Sequence, residues 1–337
     1  MRLNLVISIA AIVMGLGCEP DPGTPGGRRW DHVFVDLPAA LLGVWGSSGN
    51  DVFAVGADVG DGPWVLHWNG SAWKRLATGA TGGLWWVSGT TASGPVWMSG
   101  EAGLVLRHDR ASGRFDKIAG VPANVTLFGI FETGGEVFAV GGETSGSSGS
   151  SGHVYKLTGE AFVEDATVPS EAKSAGQLFK VWGRSPTDLW VVGLGNKMLH
   201  RDGSGWKVID TPSGRRLFTV HGNDTIAVAV GGFATGLVVE ATGTSVSDVT
   251  PPAAKQFNGV WVDREGGVVA VGVEGTVMER RGSVWKSPSG LPGTLDDYHA
   301  VYVDPDGGVW AVGGFLVVEP QKKGMLLHYG ETLPNDF

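Results

Sequence analysis

The feature that most constrains this chain is a repeat. A glycine closing a short apolar run returns at Gly56, Gly100, Gly141, Gly193, Gly231, Gly272 and Gly313, at intervals of 38 to 52 residues. Self-similarity at such a period marks architectures that stack one supersecondary unit upon the next. Each copy divides into short apolar runs bounded by turn residues, the pattern of strands joined by tight turns. The first run centres on Val44, Val87, Ile130, Val181, Val220, Val260 and Val301, all β-branched, as a buried strand position favours. The second centres on Phe53, Trp97, Phe138, Trp190, Ala227, Val269 and Trp310, and the third on Leu66, Leu106, Tyr155, Leu199, Val239, Met278 and Leu327. The fourth begins at Trp73, Phe115, Phe162, Trp206, Val246 and Trp285, which is one short.

The missing strand lies at the other end of the repeat region. Trp30 stands as far before Leu41 as Trp73 stands before Leu84, so Trp30–Val35 reads as a fourth strand placed ahead of the first copy. The expected fold is all-β: a seven-bladed β-propeller of four-stranded antiparallel blades over residues 30–331, its ring closed by Trp30–Val35 completing the last blade. Closure removes the open seam that an unpaired edge would leave. An open solenoid would need a cap at each end, and the sequence offers none.

Composition agrees. The 337 residues include 56 Gly and 14 Trp, yet 42% are hydrophobic. That is too apolar for disorder and too rich in glycine for a helical protein. The formal net charge of −9 argues against nucleic acid as a partner, since phosphate binding needs a positive surface.

Residues 1–17 read as an export signal: Arg2 supplies the positive start, and an apolar run from Leu3 to Met14 follows. The chain's only cysteine, Cys18, comes directly after Gly15-Leu16-Gly17. This arrangement resembles the lipobox of bacterial lipoproteins, which implies cleavage before Cys18 and acylation of that residue. The implied address is the cell outer membrane, facing the periplasm or the surface, with the lipid as the membrane contact. Residues 18–29 are rich in Pro and Gly and form a tether.

The repeat resembles several propeller families. Val-Gly-Gly at 140–142 and 312–314 is similar to kelch, and His-Trp-Asn-Gly-Ser-Ala-Trp at 67–73 is similar to the hairpin of Asp-box propellers. The unit at 44–56 and 181–193 looks most like repeat units of bacterial propeller lipoproteins. That likeness implies fold and exposure more than activity.

Candidate chemistry is sparse. His67, His200 and His328 share one repeat position and read as structural hydrogen-bonding groups, because a ring of blades spreads them apart while metal ligands must converge. Asp58–Gly62 and Asp304–Gly308 have the oxygen-rich look of calcium loops but read as Asp-Gly turns. A copper site of the galactose-oxidase kind would need a cysteine that the propeller lacks. The expected cofactor is none, and no metal or catalytic set is assigned.

Departures from the repeat are the better guide to function. Where most copies carry a small residue before the first-strand valine, two carry Trp86 and Lys180, which are expected to project into the channel mouth. The loops between second and third strands are long in blades 1, 3 and 7. Ring closure brings those of blades 7 and 1 together, placing Asp58, Asp61, Phe315, Glu319, Lys322 and Lys323 on one rim with Trp64 at its edge. The leading expectation is a monomeric, non-enzymatic scaffold that binds a protein or glycan. Its rival is a carbohydrate-active hydrolase or lyase with Trp86 as a sugar platform and acids drawn from Asp296, Asp297 and Glu101. A passive envelope component is the third reading.

Overall fold

The computed structural model describes residues 27–144, 151–193, 195–243 and 245–337. The leader, Cys18, most of the tether and the core of the Gly/Ser insertion (145–150) lie outside the described residues. The described chain forms seven four-stranded antiparallel sheets, six of them meanders with their strands in chain order from the axis outward. Blade 1 consists of Leu41–Ser48, Asp51–Asp58, Pro63–Trp68 and Trp73–Arg75. Blades 2 to 6 begin with the inner strands Leu84–Gly89, Val125–Thr133, Leu178–Ser185, Leu217–Gly222 and Phe257–Val262.

Blade 7 has Asp297–Val303, Val309–Phe315 and Lys322–Gly330, and its outer strand is Arg29–Leu37 from the start of the fold. The closing strand therefore exists as expected and is slightly longer at both ends. Trp30 lies opposite Tyr329, Phe34 opposite Leu326 and Leu37 opposite Gly324. The C-terminal tail adds to the seal: Phe337 sets its ring edge-on to Phe34 and Trp64, at 5.6 and 5.9 Å between centroids.

An antiparallel meander gives the ring two unlike faces. Turns joining first to second and third to fourth strands lie on one, the turn face. Loops joining second to third strands, and the connections between blades, lie on the other, the loop face. Because Arg29 pairs with Gly330 and Leu37 with Gly324, the chain enters the propeller on the turn face.

Between neighbours the core is sheet packed on sheet. Phe53, Val55 and Val65 of blade 1 bury themselves against Leu84, Val87, Val96 and Met98 of blade 2, and similar clusters recur around the ring. The recurring glycine has a specific cause. A Cβ on Gly56 would fall 2.1 Å from the carbonyl oxygen of Ala40, the residue just before the inner strand of the same blade. The corresponding distances at Gly100, Gly141, Gly193, Gly231, Gly272 and Gly313 run from 1.9 to 2.2 Å. No side chain fits there. Beside each contact the ladder skips a residue, and this β-bulge falls on Leu42, Trp85, Phe128, Phe179, Phe218, Asn258 and His299.

This arrangement predicts that Gly141→Ala destabilises the protein by about 1–3 kcal/mol, the range of an overpacked core with displaced backbone. Gly203→Ala, at a turn with open space around it, should stay within about 0.5 kcal/mol of the parent. Urea unfolding of the two variants checks both expectations.

Candidate functional site

A bulge turns one side chain out of the ladder, and here it turns it toward the axis. The seven bulge residues form a collar at the loop-face end of the central channel. Ring centroids of Trp85 and Phe128 stand 5.2 Å apart, those of Phe128 and Phe179 5.3 Å, and those of Phe179 and Phe218 5.7 Å. His299 closes the circuit, meeting Trp85 edge-on at 5.7 Å and donating from Nδ1 to the Leu42 carbonyl. Burial, helped by the charge of Lys180, brings the His299 pKa down to about 3. The indole N–H of Trp85 is buried without a hydrogen-bond partner.

Trp86 and Lys180 lie one residue further along their strands, and the structure brings them together. The Lys180 ammonium stands 4.3 Å from the Trp86 ring centroid and donates to the Phe128 carbonyl at 2.6 Å. Lys180 is only 3% exposed, so it lies inside the channel wall, below the collar. Their neighbours explain the small residues elsewhere at this repeat position: a Cβ on Gly43 would touch the Trp86 backbone, and one on Gly129 the Lys180 backbone, each Cα 3.0 Å away. The mouth itself belongs to the bulge residues. An alignment of the repeats already carries that signal, in the run Trp85, Phe128, Phe179 and Phe218 at one repeat position.

The rim residues divide. Asp58 accepts the N–H groups of Gly60 and Gly62 with one oxygen, at 2.8 and 3.1 Å, and that of Gly82 with the other, at 2.8 Å. Burial raises its pKa, but these three bonds outweigh burial and hold it below the usual value. Trp64 is buried in the core beneath Arg75, not at the rim's edge. Asp61, Phe315, Glu319, Lys322 and Lys323 are exposed. The blade 7 loop leans across blade 1, where Gln321 O accepts the N–H of Ala40. It thereby borders a cavity of about 290 Å³, open to solvent and lined by Ala57, Asp58, Glu101, Glu319, Pro320 and Gln321. Glu101 enters from blade 2, its carboxylate accepting the N–H of Gly83 at 2.8 Å.

The turn face holds a larger groove of about 1360 Å³, which sequence reasoning missed. It runs from Trp45, His221, Trp261 and Tyr302 near the axis to Trp30 and Tyr329 between blades 6 and 7. Its rings are already engaged: His221 stacks on Trp261 at 3.8 Å, Tyr302 meets the same indole edge-on at 4.9 Å, and Trp30 and Arg28 cover Tyr329. The shared histidine position is a brace. His67 stacks on Phe53 and reaches Asp51 at 2.8 Å, and His200 stacks on Trp190 and reaches Asp188 at 2.8 Å. Asp304 is a turn, its carboxylate taking the N–H groups of Asp306, Gly308 and the Trp310 indole. Among the described residues no three His, Cys, Asp or Glu are placed to hold a metal ion.

Burial brings the Lys180 pKa down from 10.5 to about 7. Between those values the unfolded chain binds more protons than the folded one, so this residue's contribution to stability rises with pH across that window. Lys180→Met removes the dependence. The margin of the variant over the parent in urea midpoint should therefore be largest at pH 7 and below, and should shrink steadily toward pH 10.

No family model and no curated protein matches the sequence. Solved structures do match the fold. YCF48 from Cyanidioschyzon merolae superposes with a TM-score of 0.65 at 14% identity, covering 90% of this chain and 98% of that one. YCF48 bound to D1 peptide gives 0.66 at 14% identity, with 91% and 99% covered. The WD40 repeats of RRP9 give 0.67 at 11% identity, with 90% and 97% covered. At such identities the likeness is one of architecture: the chain is a seven-bladed β-propeller, matched over nearly the whole length of each of these structures.

Proposed function

We propose that this propeller is a non-enzymatic interaction scaffold, exported and held at the outer membrane by a lipid on Cys18, which presents the loop-face rim of blades 7, 1 and 2 to a protein partner. One observation carries the reading. The loop of blade 7 lifts Phe315, Val317 and Val318 into solvent at 41, 78 and 57% exposure, directly beside the rim cavity. Apolar side chains exposed together on a rigid frame mark an interaction surface. A protein suits this rim better than a glycan suits the turn-face groove, where the rings a sugar would stack on are already covered. YCF48, of the same fold, has been solved with a peptide bound.

The lipoprotein part of the proposal rests on the resemblance of the leader to a lipobox, and the geometry is compatible with it. The chain enters the fold on the turn face, so an anchor upstream of Arg29 leaves the loop-face rim turned away from its point of attachment. The hydrolase reading asks for paired carboxylates beside Trp86, as glycosidases use. The group over that ring is the Lys180 ammonium, while Glu101 belongs to the rim and Asp297 opens the inner strand of blade 7.

Three outcomes are expected. A photo-crosslinking residue at Val317 yields a discrete adduct in the envelope, and the same residue at Ser204 on the turn face yields none; equal labelling at both sites would remove the rim assignment. Cys18→Ser shifts the protein from the membrane to the soluble fraction. Envelope polysaccharide incubated with the protein keeps its length, and shortening would hand the function to the hydrolase reading.

A further inference from the structure

We infer that the rim cavity between blades 7, 1 and 2 is a receptor for one basic side chain, an arginine or lysine, presented by the partner within an apolar stretch. The inference rests on the reading of this rim as a protein-binding surface and names what that surface selects.

Size comes first. Pockets for drug-sized ligands span roughly 300–1,000 Å³. At about 290 Å³ this cavity falls at the lower limit, which suits a single long side chain and not a length of main chain. Chemistry comes second. Three of its six lining residues are carboxylates, Asp58, Glu101 and Glu319, contributed by three different blades, and none of its lining residues is basic. Lys322 and Lys323 lie next in sequence but do not line it; Arg75, held over the Trp64 ring, acts on Asp58 by its charge but does not line it either. Asp58 and Glu101 are fixed by backbone N–H groups before any ligand arrives, so little ordering cost remains for those two.

A second observation points the same way. Gln321 lines the cavity although the residue is only 4% exposed, and its side-chain amide makes no hydrogen bond among the described residues. An amide with no internal partner keeps its acceptor oxygen free for a donor arriving in the cavity. The acids are not placed to share a metal ion. Carboxylates too dispersed for one small ion still suit a guanidinium, whose five N–H donors spread over a planar fork. Lysine offers three donors from a single point and is the weaker fit. Phe315, Val317 and Val318 beside the opening then set the flanking requirement, and the chain's net charge of −9 favours approach of a basic segment.

The test is a displayed library of random dodecapeptides panned against residues 27–337. The expected result is a set of binders sharing one Arg or Lys with apolar neighbours. Replacing an arginine there by citrulline, which keeps the shape and removes the charge, or a lysine by acetyl-lysine, which removes the charge, should weaken binding about tenfold or more. Glu319→Gln and Glu101→Gln should each weaken binding by several-fold, and a thermal midpoint near that of the parent confirms folding. In the second variant the new side-chain amide oxygen still accepts the N–H of Gly83, so the local turn is kept. Binders that lack a basic residue, or that ignore the loss of that charge and both variants, would overturn the inference while leaving the scaffold reading in place. A library that yields no binder at all would overturn both.

Discussion

Seven times around the ring the backbone approaches itself so closely that only a hydrogen atom fits between. The contact of Gly56 with the Ala40 carbonyl, and its six counterparts, draws the second strand of each blade tight beneath the start of the first. The bulge beside it follows from the same crowding, because the inner strand sheds one residue from its ladder where the two backbones meet. That shed residue turns to the axis. The packing between blades, the narrow channel and the collar of Trp85, Phe128, Phe179 and Phe218 all follow from this one approach.

The architecture was legible because it rests on features that a linear sequence displays. Recurring glycines count the blades, and the spacing of Trp30 from Leu41 exposes the strand donated to the last of them. The brace role of His67 and His200 was legible for a similar reason, since one polar position used once per blade cannot converge. Sequence reasoning fell short wherever a single residue of register mattered. A bulge leaves no mark in the spacing, so Trp86 and Lys180 were expected at the mouth, and the neighbouring bulge residues hold that place instead. Trp64 shows the other limit. Its place in the blade 1 loop pointed to the rim, while its size and the nearby Phe34, Trp73 and Phe337 drew it into the core.

The rim cavity was half legible. Asp58 and Glu319 were expected to share a rim because ring closure makes blades 7 and 1 neighbours. The sequence marks Glu101 only as an acid for the hydrolase reading, and Gln321 carries no signal at all. Both join the site because the blade 7 loop leans over blade 1 as far as blade 2, a tertiary reach that no repeat alignment records. The two faces thus differ in kind. On the turn face, aspartates and histidines spend their hydrogen-bonding capacity on the blades themselves. On the loop face, variable loops leave apolar side chains in solvent and gather carboxylates, two of them set by backbone N–H groups, around one cavity.

The closing strand also decides how the molecule carries load. Its first residue lies on the turn face and its last on the loop face, so it spans the height of the ring. Tension between something attached upstream of Arg29 and something gripped at the loop-face rim runs along the axis of that strand. The pairs from Arg29–Gly330 to Leu37–Gly324 are then strained in shear, all together and not peeled one after another. Shear is the direction in which a β-ladder resists most, and the seam that looks weakest in the ring is set to withstand a pull.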